Sequence, residues 1–442
     1  MNLRKLVLGV VIFFLFVALK TITTVDYLNL PVTPFEYNVS LPNFYANNVA
    51  NIDSSPANNP ITNNGATLGR VLFYDKNLSI NRTVACASCH KQSEGFSDSR
   101  ILSIGFAGGS TSRHGMTILN ARYYQRGRFF WDERAATLED QVLQPLQDTV
   151  EMGLTANQIS ERVAEQPYYN QLFINAFGNN AITNDRISKA LAQFIRSIVS
   201  YQSKYDIGRA TVNNPNQAFS NFTNQENQGK QLFFTPIPQG GGGCAGCHGT
   251  ESFVSTRPEN NGIDATSTTD LGVGGASSTI RQNLVGTFKN SSIRNIELTA
   301  PYMHDGRFST LEQVVEHYNI GIQAHPNLSG ILKDANGNPI RLNFSTAQKN
   351  ALVAFMKTLT DTSVATEVRW SNPFCQTNLS FTGTINSGGF QSSNAILVQN
   401  GGITQVQSGS YVNLISGKAI ILNPSFEAKV GSVFKAQIST CQ

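Results

Sequence analysis

Two short cysteine motifs constrain what this chain can fold into more than any other feature of its sequence. The chain reads CASCH at residues 86–90 and CAGCH at residues 244–248. Covalent attachment of haem c needs this spacing, because two thiols add to the vinyl groups and the histidine after them reaches the iron. A zinc site or a disulfide pair is the competing interpretation. Because the motif occurs twice, we expect two haem c groups, held by Cys86, Cys89, His90, Cys244, Cys247 and His248.

The N-terminus predicts export. Arg4 and Lys5 precede an apolar run over residues 6–19, which is the order found in a signal peptide. We therefore expect residues 1–20 to be a signal peptide or an N-terminal anchor, and the protein to be periplasmic or otherwise exported. No small-x-small cleavage site follows the run, so a membrane tether through residues 6–19 stays open.

Chain length and an internal repeat predict several folded units. The 442 residues exceed one ordinary domain. Residues 21–60 are rich in Asn, Pro and Thr and indicate an extended lead-in. A helical pattern precedes each cysteine motif, which indicates a duplicated helix-then-haem unit. We expect mostly α-helical haem domains over residues 61–215 and 216–366, with a capped closing helix over residues 345–359.

The composition changes after Trp370. Val, Ile, Ser, Gly and Asn occur there in short alternating runs separated by turn residues. This pattern predicts a small all-β C-terminal module over residues 370–442, either a β-solenoid or a sandwich. Cys375 and Cys441 bracket it, and we expect them to form a disulfide in an oxidising compartment. The stretch from Ile421 resembles the C-terminal stack modules of exported proteins of some bacteria.

Charge and chemistry narrow the function. The net charge of +4 and the charged fraction of 14% leave no basic stripe, so nucleic acid is not an expected partner. Two haems alone would make an electron carrier. Cleaving peroxide needs, in addition, a base and a polar group beside an open iron. Residues 130–152 contain carboxylates and amides, but the pattern by itself does not place them.

Over residues 66–359 the sequence resembles the bacterial di-haem cytochrome c peroxidase and MauG family. Besides the two haem motifs, the resemblance is carried by WDERA at 131–135 with Leu138, Gln141, EM at 151–152, IRN at 293–295 and LTAPYMHDG at 298–306. The resemblance implies a fold that is mostly α, with two cytochrome c-like haem domains in the di-haem peroxidase arrangement ahead of the β module.

The resemblance also implies roles for individual residues. The haem at His90 would react with peroxide, with Glu151 as its acid–base residue and Gln141 beside it. Trp131 would lie between the haems as an electron relay. Pattern alone favours plainer interpretations, in which Glu151 is a solvated helix residue, Gln141 a surface amide and Trp131 ordinary core packing.

The group opposite His248 divides the family, since some members use methionine there and MauG-like members use tyrosine. The matching position here is Tyr318. A phenolate ligand favours ferric iron, so the second haem should be low in potential. Alternatively, Tyr318 packs with its hydroxyl on a backbone group and Met303 is the ligand. We expect His317 and His325 to be surface or loop residues.

The chain departs from the family pattern at two places. Peroxidases of the family carry a loop histidine that blocks the iron, and residues 106–108 contain none, so the first haem should be open without activation. His114 stands where an asparagine usually helps to bind calcium, and a structural histidine is the favoured interpretation. The carbonyls of Thr299 and Pro301 could still hold a calcium ion. His304 should lie near the second haem without binding its iron.

Three functions are consistent with these residues. In the first, an exported cytochrome c or cupredoxin gives electrons to the haem at His248, and hydrogen peroxide is reduced to water at the haem of His90. In the second, a MauG-like oxidase acts on a protein or small-molecule substrate, as Tyr318 and the missing loop histidine suggest. The third is a non-catalytic di-haem electron carrier.

Overall fold

The computed structural model describes residues 28–374 and, with gaps, the segments 376–381, 384–385, 388–398, 404–408, 411–416, 419–422 and 426–438. These residues divide into two units, one up to Gln376 and one from Thr377 onward. The predicted signal peptide and both cysteines of the predicted C-terminal disulfide lie outside the described residues. Within the described segments, no helix is long and apolar enough to cross a membrane.

The first unit is built from short helices and long loops, as the sequence predicts. Its α-helices are α1 (Asn43–Val49), α2 (Asn63–Tyr74), α3 (Leu138–Gln147), α4 (Ala156–Ala164), α5 (Tyr168–Phe177), α6 (Asn184–Ser197), α7 (Lys204–Arg209), α8 (Asn224–Phe234), α9 (Leu311–Glu316), α10 (Thr346–Lys357) and α11 (Thr362–Thr366). A π-helical turn over His317–Gly321 follows α9. The predicted cap of α10 is present, since Ser345 accepts a hydrogen bond from the backbone of Gln348.

The lead-in is less extended than predicted. Residues 28–42 contain no helix or strand, but α1 follows them. Tyr45 of α1 is fully buried and its ring lies 5.8 Å from that of Tyr123. Burial of this aromatic surface stabilises the short helix, whose local sequence carries little helical signal.

Each cysteine motif follows a helix that crosses a later helix at a glycine. A Cβ atom built on Gly69 of α2 would lie 2.0 Å from the carbonyl oxygen of Ala190 in α6. A Cβ atom on Gly229 of α8 would lie 1.8 Å from the carbonyl oxygen of Ala351 in α10. Only glycine lets the two backbones approach this closely. The equivalent crossings confirm that the helix-then-haem unit is duplicated.

Aromatic pairs lie at equivalent places one turn beyond each crossing. The rings of Phe73 and Phe194 are 5.2 Å apart at 55°, and those of Phe233 and Phe355 are 5.1 Å apart at 56°. All four side chains are buried. Each pair anchors one of two separate hydrophobic cores, so the two motifs are held by two similar scaffolds.

Each core includes a residue from the part of the chain that mainly forms the other core. Tyr205 of α7 packs in the second core. Trp370 returns to the first core, where its carbonyl oxygen accepts a 2.7 Å hydrogen bond from the Tyr74 hydroxyl. Each core therefore includes residues from both sides of the predicted boundary, and the boundaries at residues 215 and 366 stay predictions.

The second unit consists of short strands. They are β1 (Gln376–Phe381), β2 (Thr384–Ile385), β3 (Gly388–Val398), β4 (Thr404–Val406), β5 (Tyr411–Ser416), β6 (Ala419–Leu422), β7 (Phe426–Ala428) and β8 (Val433–Ile438). Gly388 pairs in parallel with Val412, and Val412 with Phe434, which are steps of 24 and 22 residues. Parallel pairing at a nearly constant step favours the solenoid over the antiparallel sandwich.

Candidate di-haem active site

Two cavities lie in the first unit, and each is lined by one cysteine motif. The first cavity contains Cys89 and His90, and the second contains Cys244, Cys247 and His248. Among the described residues, all four motif cysteines are unpaired, and no three metal-binding side chains of His, Cys, Asp or Glu are grouped together. The motif side chains that line the cavities, Cys89 with His90 in the first and Cys244 and Cys247 with His248 in the second, fit the attachment of haem c.

The backbone of each motif presents its histidine as a neutral ligand. His90 donates its backbone N–H to Cys86 over 2.9 Å, and His248 does the same to Cys244. Nδ1 of His90 lies 3.2 Å from the carbonyl oxygen of Phe96, a contact that orients the ring so that Nε2 can serve as the metal ligand. Burial lowers the pKa of His90, and lowers that of His248 to about 4. A neutral imidazole is the form that binds iron.

Glu151 and Gln141 line the first cavity together with His90. Gln141 lies on α3, and Glu151 lies in the turn after that helix. Asp148 ends α3, and its Oδ1 accepts hydrogen bonds from the backbone of Val150 at 2.8 Å and of Glu151 at 3.0 Å. This turn brings a carboxyl and an amide, ten residues apart, into one cavity.

The environment of Glu151 suits proton transfer. Burial raises its pKa to about 7, the negative charge of Asp148 adds to the rise, and Arg134 opposes it. A carboxyl with a pKa near 7 both accepts and releases a proton close to neutral pH. The loop at residues 105–109 packs against this turn, with Phe106 donating its N–H to the Glu151 carbonyl oxygen over 3.1 Å.

Trp131 lines both cavities. Its Nε1 donates a 2.8 Å hydrogen bond to the carbonyl oxygen of His114, and its own carbonyl oxygen accepts one of the same length from Lys289. Its ring centroid lies 6.4 Å from that of His304. Trp131 is therefore held in one position in the wall that the two cavities share.

Tyr318 and Met303, the two candidate ligands opposite His248, both line the second cavity. Tyr318 lies in the π-helical turn, a distortion that is frequent at functional sites. Asn261 contacts both candidates: its Nδ2 lies 3.4 Å from Met303 Sδ, and its side chain hydrogen-bonds Tyr318. Its carbonyl oxygen is 3.1 Å from His317 Nε2. Asn261 carries no motif that sequence reasoning could have used to find it.

The expectation that His317 and His325 are surface or loop residues is wrong for His317, which lies in the π-helical turn, and holds for His325 only in that it lies in a loop. They are 6% and 5% exposed. Besides the contact of His317 with Asn261, Nδ1 of His325 accepts a 3.0 Å hydrogen bond from the backbone of Asn327. Packing between distant loops buries both rings, and sequence pattern does not report such packing.

The remaining predicted residues line the second cavity; they are His114, Thr299, Pro301 and His304. Nδ1 of His114 lies 3.1 Å from the carbonyl oxygen of Arg100, and its Nε2 lies 3.2 Å from Ser97 Oγ. Protein groups thus satisfy both ring nitrogens, as expected of a structural histidine. Thr299 and Pro301 line the second cavity, as does His304, whose ring stacks on Phe288 at 3.8 Å.

Comparison with known proteins agrees with a di-haem peroxidase-type oxidoreductase. Residues 63–211 match the family model described as di-haem cytochrome c peroxidase. The methylamine utilization protein MauG of Methylorubrum extorquens is 33% identical over 310 residues, which are 69% of this chain and 80% of that protein. The cytochrome c551 peroxidase of Nitrosomonas europaea is 32% identical over 299 residues, or 67% and 79% of the two chains. The chain belongs to the di-haem cytochrome c peroxidase and MauG family.

Solved structures give the same fold. A MauG-like protein associated with microbial copper homeostasis matches with a TM-score of 0.65 and 30% identity, over 77% of this chain and 100% of that chain. The diheme peroxidase BthA of Burkholderia thailandensis matches with a TM-score of 0.56 at 19% identity, over 79% and 96% of the two chains, and supports the fold alone. The family implies two c-type haems, and the protein is an oxidoreductase of the peroxidase type.

Proposed function

We propose that this protein is an exported cytochrome peroxidase that reduces hydrogen peroxide to water with electrons from an exported cytochrome c or cupredoxin. The observation that carries the proposal is Glu151, a carboxyl with a pKa of about 7 that shares one cavity with His90 and Gln141. Haem c bound through Cys86, Cys89 and His90 would supply the iron and the one-electron chemistry.

The side chains of the first cavity handle protons and orientation. The Glu151 carboxylate takes the proton from the near oxygen of peroxide and returns it to the far oxygen, which then leaves as water. The Gln141 amide donates a hydrogen bond to the bound peroxide and holds it for that transfer. Both groups are partly buried, so they act in a medium where hydrogen bonds are stronger than in water.

The second cavity takes in electrons. Cys244, Cys247 and His248 would hold the second haem, Tyr318 would be a further ligand from the same cavity, and Trp131 would be the relay toward the first cavity. A phenolate ligand would keep this haem low in potential.

Turnover with a donor tests the proposal. The haem-loaded protein is mixed with one equivalent of peroxide and then with reduced cytochrome c. Oxidation of the cytochrome c is followed by its absorption. Rapid oxidation of two cytochromes per peroxide supports the peroxidase. A long-lived oxidised protein that oxidises cytochrome negligibly contradicts it.

A MauG-like oxidase is the second candidate, because Tyr318 lines the second cavity and relatives named MauG are among the similar proteins. Its signature would be the long-lived oxidised state in the same experiment, discharged by a protein or small-molecule substrate. A non-catalytic electron carrier is the third. For an electron carrier, neither ferric haem would show a high-spin absorption band, and the protein would not react with peroxide.

Several further features remain proposals. We propose a periplasmic location, with residues 1–20 as a signal or as a tether through residues 6–19. Calcium would bind the carbonyls of Thr299 and Pro301. We also propose that the strands from Gln376 onward form a β-solenoid, and that Cys375 and Cys441 close it with a disulfide.

A further inference from the structure

A buried tyrosine that the peroxidase mechanism does not use lines the first cavity. Tyr124 is fully buried and is the one tyrosine in the described lining of that cavity. Its hydroxyl donates a short hydrogen bond to Oε1 of Glu133, a carboxylate that is only 2% exposed. The buried carboxylate of Glu133 is therefore within reach of the phenol proton of Tyr124.

Removing an electron from a phenol makes its hydroxyl proton strongly acidic. In a buried site that proton has to pass at once to a base within hydrogen-bond distance. Glu133 is such a base. Burial, and then the hydrogen bond to Glu133, raise the pKa of Tyr124 far above its usual range, so the phenol keeps its proton until an electron leaves.

The surroundings tolerate the change of charge that proton transfer would cause. Arg126 Nε lies 2.9 Å and 3.1 Å from the two carboxylate oxygens of Glu133, and its side chain is 40% exposed. Once Glu133 is neutral, the Arg126 charge is therefore still solvated. Lys289 fixes the ring, with its Nζ 4.4 Å from the ring centroids of Tyr124 and Phe129.

We propose that Tyr124 is a redox-active tyrosine that gives one electron to the oxidant formed from peroxide in the first cavity, with Glu133 accepting its proton. The step leaves a neutral phenoxyl radical on Tyr124 and a neutral carboxylic acid on Glu133, and the oxidant is reduced by one electron. The chain thereby stores one oxidising equivalent in its own side chain when no external donor is bound. This inference rests on the proposed reaction with peroxide at the His90 site.

Freeze-quench electron paramagnetic resonance of the haem-loaded protein, after one equivalent of peroxide and without donor, tests the proposal. Wild type should give a phenoxyl signal that changes when ring-deuterated tyrosine is incorporated. Tyr124→Phe should lose it, whereas Tyr123→Phe should retain it. Tyr123 is equally buried, and no hydrogen bond among the described residues joins its hydroxyl to a carboxylate. Glu133→Gln keeps a hydrogen-bond acceptor but no base, and should lower the yield about tenfold or more.

A second arm replaces peroxide with a photogenerated ruthenium oxidant. One outcome is a signal that depends on Tyr124 with this oxidant from a protein that does not react with peroxide. That result would refute the proposed peroxidase but support the redox-active tyrosine. Normal consumption of peroxide with no such signal in either arm would overturn the tyrosine proposal and leave the peroxidase intact. An undiminished phenoxyl signal in Tyr124→Phe would also overturn it.

Discussion

Replacing Glu151 with glutamine should slow the reaction with peroxide about a hundredfold or more, because glutamine keeps the shape of the side chain but cannot accept a proton. A positioned acid–base group contributes about 10² to 10⁴ in rate, and a hundredfold loss corresponds to about 2.7 kcal/mol in the activation free energy. The expected loss is attributed to Glu151 because this side chain combines a place in the first cavity with a pKa near 7.

The pH dependence follows from the direction of the pKa shift. Burial raises the pKa of Glu151 to about 7, so the carboxylate, which is the form that accepts a proton, predominates above that pH. About a tenth of it remains one pH unit lower. The second-order rate of wild type with peroxide should therefore fall about tenfold per unit below pH ~7, whereas that of Glu151→Gln should be flat in this range.

Stopped-flow absorption of the ferric protein, mixed with excess peroxide from pH ~5 to pH ~9, measures both effects. Glu161→Gln is a matched control, because Glu161 is an exposed residue of α4 and its replacement makes the same change of charge. It should react like wild type. A rate for Glu151→Gln within a few-fold of wild type, or the same acid limb in that variant, would remove Glu151 from the mechanism.

Three further changes probe the relay, the second cavity and the scaffold. Trp131→Phe should lower steady-state turnover with reduced cytochrome c about tenfold or more. The same variant should still consume one equivalent of peroxide at nearly the wild-type rate. Equal losses in both assays would argue against a relay. Tyr318→Met should raise the midpoint potential of the second haem in a redox titration, because a thioether favours ferrous iron, and an unchanged potential would mean that Tyr318 is not a ligand. Gly229→Ala should lower the free energy of unfolding by about 1 to 3 kcal/mol, because its Cβ would meet the Ala351 carbonyl oxygen. Gly330→Ala is the control, because nothing lies within 4 Å of the added atom, and it should leave the midpoint of thermal unfolding unchanged. Equal midpoints for the two variants would contradict the close helix crossing at Gly229.

Local chemistry explains why some predictions needed no structure. Haem attachment depends on residues that are adjacent in the chain, so the two cysteine motifs predict it by themselves. The cap at Ser345 is equally local, and α10 begins where it predicts. The duplication is also visible in sequence as a helix before each motif, although its clearest signs, the glycines at 69 and 229, gain meaning only when the crossing helices are known.

The errors come from packing between segments that are distant in the chain. His317 and His325 were expected to be surface or loop residues; both are buried, and their rings contact the distant residues Asn261 and Ser267. The lead-in contains a helix because Tyr45 packs on Tyr123. The contacts of His317 with Asn261 and of Tyr45 with Tyr123 join residues far apart in sequence, so periodicity carries no trace of them.

The sequence by itself determined the class of cofactor, the repeated scaffold and the membership of the family, because these depend on short motifs and on spacing along the chain. Tertiary structure decided which side chains share a cavity: it joined Gln141 and Glu151 to His90, set Trp131 against both cavities, and paired Tyr124 with Glu133. The physical reason is that a proton or an electron moves over a few ångströms of space, and folding, rather than chain order, sets those distances.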